Sequence, residues 1–373
     1  MADRLDPVAL TSGMIDIKSV SRWTNVAVSE YVESWMKAHG FETEWLEYKD
    51  EHGERKVSIV GKKGDGKGGM GFFSHTDTVP GQEEDWEPYR GVVEGDRLYG
   101  RGSCDMKGPL AATMIAAAAV DASKLKKAVI IAATSDEELG GEGARYTTEH
   151  SKLMAGALPA YGIVAEPTLL TPVYAHKGGA TVTVTAKGHA AHTSTDLGIS
   201  ANFLIAPFLA EMAELAKSVK TDPRFLNPEF NPPTNGFNMV LTDYGTRSNV
   251  FAARCTAIVG FRPGPHDRSD ELVEEIAQRA RHYGFEVTTQ MNRGYRIEPD
   301  AAVVQLASQL TGGRQPETVP YGTDAPRFAA KVPCVVFGPG SIAQAHTVGE
   351  YIDVAQLHEA TAIYRQMIET VCM

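Results

Sequence analysis

A histidine with a carboxylate two positions later follows a short apolar segment in the first third of the sequence. Residues 70–73 predict a buried strand, and His75 and Asp77 come directly after it. Alternate residues of an extended chain point the same way, so Asp77 can reach the imidazole ring of His75. A carboxylate behind a histidine fixes the tautomer of the ring and raises its basicity, as it does for metal ligands. The pair therefore indicates a metal ligand with its orienting acid.

More groups of the same kind follow along the chain, each at the end of an apolar segment or in a glycine-rich turn: Asp105, Glu137, Glu138, Glu166 and His346. Glu137, like Asp77, is a candidate helper rather than a ligand. The two imidazoles and the other three carboxylates form a mixed N/O ligand set that suits zinc, with cobalt or manganese as substitutes. One zinc ion needs only three protein ligands, so five suggest two metals that share one carboxylate. Because Glu137 and Glu138 are adjacent, one can bind metal while the other stays free as a general base.

The segments that must position these groups alternate between strand and helix patterns. Helices are predicted over 24–40, 109–120, 301–310 and 354–371, and strands over 42–48, 56–60, 70–73, 128–133, 161–165 and 334–337. Continuous apolar runs such as 128–133 are typical of strands covered on both faces. In open α/β sheets, sites lie at the carboxyl ends of the strands, where these acids fall. The pattern therefore predicts an α/β fold.

The pattern changes after His176. Residues 180–186 alternate with period two, which predicts a strand with one solvated face. Further strands are predicted over 255–261 and 286–289 and helices over 199–219 and 270–283. We therefore predict a catalytic domain over 1–176 and 291–373, with an inserted α+β domain over 177–290.

Net charge and cysteine content limit the kinds of partner and the cellular compartment that we expect. The 373 residues include 36 Lys and Arg against 47 Asp and Glu, a formal net charge of −11, which argues against nucleic acid and anionic membranes as partners. The N-terminus shows no export signal, and the apolar run 109–120 is too short to span a bilayer. Four cysteines without paired spacing indicate a reducing compartment, so we expect a cytoplasmic protein.

Several motifs together resemble the acetylornithine deacetylase, succinyl-diaminopimelate desuccinylase and aminoacylase family of zinc metallopeptidases. They are, in order, HTDTVPG, GRGSCDMKG, TSDEELGGEGA, VAEPT, YGTDAPRF and GPGSIAQAHTVGEYI. The resemblance covers nearly the whole chain. It implies a zinc-peptidase-like catalytic domain whose mixed sheet is covered by helices, with an inserted four-stranded lid and dimerisation domain. A homodimer is the expected assembly.

The resemblance also implies a ligand set for two Zn²⁺ ions: His75 and Glu166 on one, Glu138 and His346 on the other, and Asp105 as the bridge. Asp77 would orient His75. Glu137 would take a proton from the metal-bridging water and pass it to the leaving amine. These roles are carried over from the motifs, residue by residue, and are expectations at this point.

Residues outside the ligand set are implied in the same way. His192, in KGHAAHTS, resembles the lid histidine that stabilises the oxyanion, often across the dimer. Asn249 and Arg262 resemble lid positions that contact the substrate, and a guanidinium is a fitting clamp for an α-carboxylate. Gly338 and Gly340 resemble the loop that lines the substrate pocket.

The expected reaction is metal-dependent hydrolysis of an amide bond in an N-acyl amino acid. The segment GPGSIAQAH is most similar to the acetylornithine deacetylase branch, whereas YGTDAP stands where that branch has a Cys-Thr-Glu version. SVSRWTN lacks the Ser-Gly-x-Glu of many relatives. The alternative is a dipeptidase or carboxypeptidase of the same family that acts on short peptides. A catalytically silent dimeric binding protein is disfavoured because Glu137 and all the ligands are present, and no G-x-G-x-x-G motif supports a dinucleotide binder.

Overall fold

The structure is a computed structural model that describes residues 5–373, and its chain forms two compact units. The first contains residues 5–174, Ile297–Glu317 and Thr323–Met373, and the second contains Ala175–Arg296 and Thr318–Gly322. The helices are α1 (Pro7–Ile15), α2 (Val26–Ala38), α3 (Lys107–Ala118), α4 (Glu142–His150), α5 (Lys152–Gly156), α6 (Ala201–Val219), α7 (Ser269–His282), α8 (Ala302–Leu310), α9 (Ala325–Ala329) and α10 (Val354–Cys372). The strands are β1 (Glu42–Lys49), β2 (Arg55–Lys63), β3 (Met70–His75), β4 (Val92–Glu94), β5 (Arg97–Tyr99), β6 (Val129–Thr134), β7 (Tyr161–Val164), β8 (Val173–His176), β9 (Gly179–Lys187), β10 (Asn238–Thr242), β11 (Arg254–Phe261), β12 (Glu286–Asn292), β13 (Tyr295–Arg296), β14 (Glu317–Val319), β15 (Cys334–Val336) and β16 (Tyr351–Asp353).

The first unit is built on a mixed sheet in which β1, β2, β6, β3, β7 and β15 are neighbours in that order. Strand β3 pairs in parallel with β6 and β7, whereas β1 and β2 are antiparallel to their neighbours. Every residue of β3 and β6 is buried. This confirms the predicted α/β class with a mixed sheet, and it places the ends of three parallel strands, β6, β3 and β7, side by side.

Helices cover both faces of this sheet. Adjacent residues of a strand point to opposite faces. Phe72 packs edge-on against Tyr364 of α10, with ring centroids 5.3 Å apart, and Phe73 stacks on Phe328 of α9 at 3.9 Å. Two neighbours on β3 thus meet helices on opposite sides, which explains why the apolar runs are continuous rather than alternating.

A small sheet of β4, β5 and β16 lies in the same unit. Tyr351 pairs with Tyr99 and Asp353 pairs with Arg97. Through this pairing, β5 and β16 join the segment that precedes α3 to the segment that precedes α10. They therefore hold two loops together that are far apart in sequence, and these loops carry Asp105 and His346.

The second unit has an antiparallel sheet in the order β10, β11, β9, β12, with α6 and α7 packed against it. Along β9, Val182, Val184 and Ala186 are buried in the core of this unit, and the threonines between them are half-exposed. The alternation in 180–186 thus marks a strand with one covered face, as predicted. No helix among residues 5–373 is long and apolar enough to cross a membrane.

Candidate metal centre

His75 is the last residue of β3, and its ring is fixed by a backbone carbonyl. The side chain is 1% exposed. Its Nδ1 lies 2.9 Å from the carbonyl oxygen of Asp77. Because a carbonyl only accepts, Nδ1 carries the proton and donates, which leaves the lone pair of Nε2 free to bind a metal. The Asp77 carboxylate lies 3.6 Å from Nδ1, a charge contact rather than a hydrogen bond.

Asp105 stands between the two histidines and offers one carboxylate oxygen to each. Its Oδ1 lies 3.1 Å from Nε2 of His75, and its Oδ2 lies 3.3 Å from Nε2 of His346. The donor atoms of His75, Asp105 and Glu166 all lie within 4.8 Å of one another, and so do those of Asp105, Glu138 and His346. Two candidate triads therefore share a single carboxylate, which is the arrangement of a bridging ligand.

Each triad draws its remaining members from strand ends and turns. Glu166 follows β7, and its Oε1 lies 3.9 Å from Nε2 of His75. Glu138 lies in a short 3₁₀ turn after β6, and its Oε1 lies 3.1 Å from Nε2 of His346. His346 lies in a turn-rich loop with φ at +64°, and its side chain is 51% exposed.

Glu137 points into the same space without belonging to either triad. Its Oε2 lies 4.0 Å from Nε2 of His75, and its side chain is 17% exposed. The Asp77 carboxylate receives the backbone N–H groups of Glu137 and Glu138 at 3.3 and 3.4 Å. Asp77 therefore fixes the histidine ring through its backbone carbonyl and the turn of the two glutamates through its carboxylate.

The charges of this cluster favour a bound cation. Burial and neighbouring carboxylates hold the pKa values of Glu137 and Glu166 well above their usual range. Although burial opposes ionisation, hydrogen bonds to the two imidazoles lower the pKa of Asp105. The hydrogen bonds to Asp105 and Glu138 raise the pKa of His346 to about 10. Buried carboxylates are stable when they are paired or bind metal, and these N and O donors fit zinc or a similar ion.

The profile of peptidase family M20/M25/M40 matches residues 71–370, a span that includes every residue of both triads. The chain belongs to this family. It is a metallohydrolase that acts on amide bonds.

Curated relatives of this M20 chain include acetylornithine deacetylases. The protein of that name from Myxococcus xanthus is 33% identical over 387 residues, which cover 100% of this chain and 99% of the relative. The protein of that name from Proteus mirabilis is 32% identical and covers 94% of this chain and 91% of its own length.

Solved structures share the fold at lower identity. A di-peptidase from Saccharomyces cerevisiae superposes with a TM-score of 0.76 at 15% identity, covering 98% of this chain and 96% of its own. An M20 family metallo-carboxypeptidase from Sulfolobus solfataricus superposes with a TM-score of 0.74 at 17% identity, covering 99% of both chains. A dinuclear metal-binding M20 peptidase from Bacillus subtilis has a TM-score of 0.63 at 16% identity over 98% of both chains.

The structure packs the predicted pocket glycines of this M20 chain closely, Gly338 against backbone atoms and Gly340 against side chains. A Cβ on Gly338 would lie 2.4 Å from the carbonyl oxygen of Ala165 and 2.5 Å from that of Glu166. Gly340 has φ at +90°, and a Cβ there would lie 2.6 Å from Sγ of Cys104. Glycine is therefore required at both positions for close packing beside the segments that carry Glu166 and Asp105.

The predicted lid residues lie in the second unit. His192 and Asn249 are on adjacent segments, joined by the hydrogen bond from the Thr193 N–H to the Asn249 carbonyl at 3.1 Å. The Ser194 N–H donates to Nδ1 of His192, so the proton of the neutral ring is on Nε2. Arg262 directly follows β11 and is exposed, and it has no ion pair among the residues that the structure describes.

Glu350 is a site residue that sequence reasoning missed. Its fully buried carboxylate receives the N–H groups of Gly102, Cys104 and Asp105 at 3.1, 2.9 and 3.0 Å through one oxygen. The other oxygen accepts from Nη1 of Arg101 at 2.7 Å. Glu350 thus shapes the loop that presents the shared Asp105, and it lies four residues after His346. The only local signal was its place in GEYI, directly after a ligand loop.

Proposed function

We propose that this chain removes the acyl group from an N-acyl amino acid, as an acetylornithine deacetylase-like enzyme in which Glu137 is the general base. The observation that carries the proposal is the geometry of Asp105. Its two oxygens face two histidines, and the Glu137 carboxylate lies beside one of them. The relatives at 32–33% identity over nearly the full length support the acyl amino acid as substrate class.

The metals are assigned as two Zn²⁺ ions, for which Co²⁺ or Mn²⁺ can substitute. His75 and Glu166 would hold one ion, Glu138 and His346 the other, and Asp105 both. When bound, such ions supply Lewis acidity that polarises the scissile carbonyl and lowers the pKa of water. The mixed N/O donor set supports zinc over calcium or magnesium, which prefer oxygen alone.

The chain's own residues supply the proton transfers. Glu137 takes a proton at Oε2 and returns it to the leaving amine, so it works first as base and then as acid. In the metal-free protein, burial and nearby carboxylates raise the pKa of Glu137; bound cations would lower it and so favour the ionised form that accepts the proton. Asp77 keeps the turn in place through the N–H groups of Glu137 and Glu138.

Residues 177–290 are assigned as a lid and dimerisation domain on the strength of the family resemblance. His192 would donate Nε2–H to the developing oxyanion, which fits the tautomer set by Ser194. Arg262 would bind the substrate carboxylate, and Asn249 would contact the substrate beside it. The exposure of Arg262 and its lack of an acidic partner among the described residues support this role.

An exposed apolar surface on the second unit supports a homodimer. Phe203 and Leu204 at the start of α6 are 80% and 41% exposed, and Val240 and Leu241 on the edge strand β10 are 57% and 49% exposed. Unpaired edge strands with apolar residues favour association with another chain. We expect a dimer by light scattering and a monomer after Phe203→Asp. Val93→Asp, an exposed apolar position on β4, is the matched control.

The free, buried cysteines support a cytoplasmic location. Export of the native protein with these thiols oxidised would contradict it.

The decisive experiment is a substrate panel with purified zinc-loaded protein. N-acetylornithine, other N-acetyl and N-succinyl amino acids, and dipeptides are compared by kcat/KM. We expect the N-acetyl amino acids to give the highest kcat/KM. Activity should disappear with chelator, and zinc or cobalt should restore it. Preference for dipeptides would instead support the peptidase alternative, and full activity in metal-stripped protein would refute the mechanism.

Two variants test the named roles. Glu137→Gln should lower kcat by about 10²–10⁴-fold with both metals retained. The control Glu142→Gln, at an exposed position on α4, should leave kcat unchanged.

If His192 acts across the dimer, mixing His192→Ala chains with Glu137→Gln chains should restore activity, because one site of the mixed dimer has both groups intact. No restoration would place His192 in the same chain or outside the reaction.

A further inference from the structure

The backbone directly before Glu137 has an uncommon conformation. Asp136 links β6 to the turn of the two glutamates, with φ at +59° and ψ at +26°, in the left-handed region. A non-glycine residue adopts this conformation only at a cost in free energy, so neighbouring groups must hold it. The direction in which the chain leaves Asp136 sets where Glu137 points.

Two side chains from β1 and β2 hold the Asp136 carboxylate. The Tyr48 hydroxyl donates to Oδ2 at 2.6 Å, and Nζ of Lys56 donates to Oδ1 at 2.8 Å. The Lys56 and Asp136 side chains are 1% and 5% exposed. Buried ion pairs of this kind add little net stability compared with apolar residues of similar size. What this pair does provide is a fixed position for both carboxylate oxygens of Asp136.

Ser21 connects Lys56 to Asp77 on the other side of the turn. We call the contacts of Tyr48 and Lys56 with the Asp136 carboxylate the clamp. Lys56 also donates to the backbone carbonyl of Ser21. The Ser21 hydroxyl donates to Oδ2 of Asp77 at 2.6 Å, and the Asp77 carboxylate receives the N–H groups of Glu137 and Glu138. A continuous set of hydrogen bonds therefore runs from Tyr48 to the backbone of Glu137. It gives a role to part of SVSRWTN, the segment that departs from the Ser-Gly-x-Glu of many relatives.

We propose that Tyr48, Lys56 and Ser21 are positioning residues that fix the turn at Asp136 and thereby hold the Glu137 carboxylate at the metal centre. None of the three belongs to the candidate ligand triads. They act through Asp136 and Asp77, from the side of β1, β2 and the segment before α2. The inference rests on the proposed role of Glu137 as general base.

The first test is Tyr48→Phe, which removes one oxygen atom from a half-buried ring. We expect kcat to fall by roughly 10- to 100-fold, because small misplacements of a catalytic group have effects of this size. KM should stay within about twofold, since the substrate contacts are untouched, and the metal content should be unchanged. Tyr146→Phe is the matched control: the Tyr146 ring packs against Tyr48 with centroids 5.1 Å apart, and its hydroxyl is not a partner of Asp136.

A double-mutant cycle separates positioning from a general loss of stability. If Tyr48 acts through Glu137, then Tyr48→Phe should have no further effect on kcat in a Glu137→Gln background. An equal loss of kcat in both backgrounds would overturn the proposal.

Amide hydrogen exchange of the holoenzyme gives a readout that needs no substrate. The Gly141 N–H donates to the Asp136 carbonyl at 2.8 Å. We expect the N–H groups of Glu137, Glu138 and Gly141 to exchange several-fold faster in Tyr48→Phe than in the wild type or Tyr146→Phe. Unchanged exchange together with unchanged kcat would overturn the positioning role. If the wild type hydrolyses no member of the substrate panel, the proposed function fails, and exchange alone then decides whether Tyr48 holds the turn.

Discussion

The two halves of the candidate metal centre contain the same kinds of side chain but differ in how the chain supports them. We call His75 and Glu166 with the shared Asp105 the buried half, and Glu138 and His346 with Asp105 the exposed half. The histidine of the buried half is 1% exposed and ends a central strand, whereas that of the exposed half is 51% exposed and lies in a turn-rich loop.

The difference extends to the groups behind the ligands. Nδ1 of His75 donates to the Asp77 carbonyl, whereas Nδ1 of His346 has no hydrogen-bond partner among residues 5–373. Such outer partners orient metal ligands and typically change metal affinity by about 10–100-fold. The sheet therefore preforms one half of the centre and a loop completes the other. Unequal binding of the two ions is the expected consequence.

The largest effect is expected at the residue that both halves share. Asp105→Asn should bring the metal content from about two ions per chain to well below one and abolish activity, because an amide cannot bridge two cations as a carboxylate does. Metal analysis after dialysis and a kcat measurement check this. The exposed Asp85, in the loop after β3, provides the control Asp85→Asn. Retention of one tightly bound ion in Asp105→Asn would show that the halves are independent.

Removing one histidine at a time should give unequal results. His75→Asn leaves the carboxylates of Asp105 and Glu166 buried without their imidazole, and breaking a buried pair costs about 3–5 kcal/mol. His346→Asn removes a half-exposed ring, and solvent screens its ion pairs with Asp105 and Glu138, so the metal-free protein should lose less stability than it does in His75→Asn. Metal content and thermal unfolding of the metal-free proteins measure both effects. Equal destabilisation by the two variants would contradict the contrast between the halves.

The positions of the candidate ligands along the chain could be identified from the sequence largely because local patterns mark strand ends. The apolar run 128–133 corresponds to β6 (Val129–Thr134), and His75 ends the strand predicted over 70–73. Hydrophobic periodicity and composition are local properties, so they can be read from a single sequence. Which ligands share an ion was not available from such patterns and came from the family resemblance.

Long-range partners could not be predicted. Glu350 accepts the N–H of Asp105 across 245 residues of sequence, and no local period signals that contact. The clamp of Tyr48 and Lys56 on Asp136 has the same character. Among the elements that were not predicted, two have clear physical reasons. Helix α1 is nine residues long and contains Ser12 and Gly13, which are poor helix formers, and the edge strand β10 lacks a clear alternation of burial.

Partial removal of metal should separate the two halves without any mutation. A competing chelator of moderate affinity should withdraw about one ion per chain first. The second ion should require a chelator concentration at least roughly tenfold higher, because hydrogen-bond partners behind metal ligands change metal affinity by about that factor or more. Metal content and kcat are followed in the same titration. In His346→Asn the early phase should be missing, which assigns it to the exposed half. A single phase in the wild type would mean that the two ions bind with similar affinity.

The smallest effect concerns the protons that metal binding displaces. Hydrogen bonds to Asp105 and Glu138 raise the pKa of His346 to about 10 in the metal-free protein. A raised pKa means that the ring keeps its proton at neutral pH, so an ion entering the exposed half must displace it. Affinity for that ion should therefore weaken as the pH falls, by about tenfold per unit between pH 8 and 6.

Calorimetric titration of zinc in buffers of different ionisation enthalpy measures this release. His346→Asn should release about one proton fewer per chain than the wild type, and His358→Asn, an exposed position on α10, should release the same number as the wild type. His75 also has a raised pKa: burial opposes the rise, but the hydrogen bond to Asp105 and the nearby carboxylates of Asp77, Glu166 and Glu137 together outweigh it. Both halves therefore contribute protons. The halves then differ in how easily the ion leaves, whereas both depend on pH in the same direction. A His346→Asn protein that releases as many protons as the wild type would show that this ring is neutral before the metal binds.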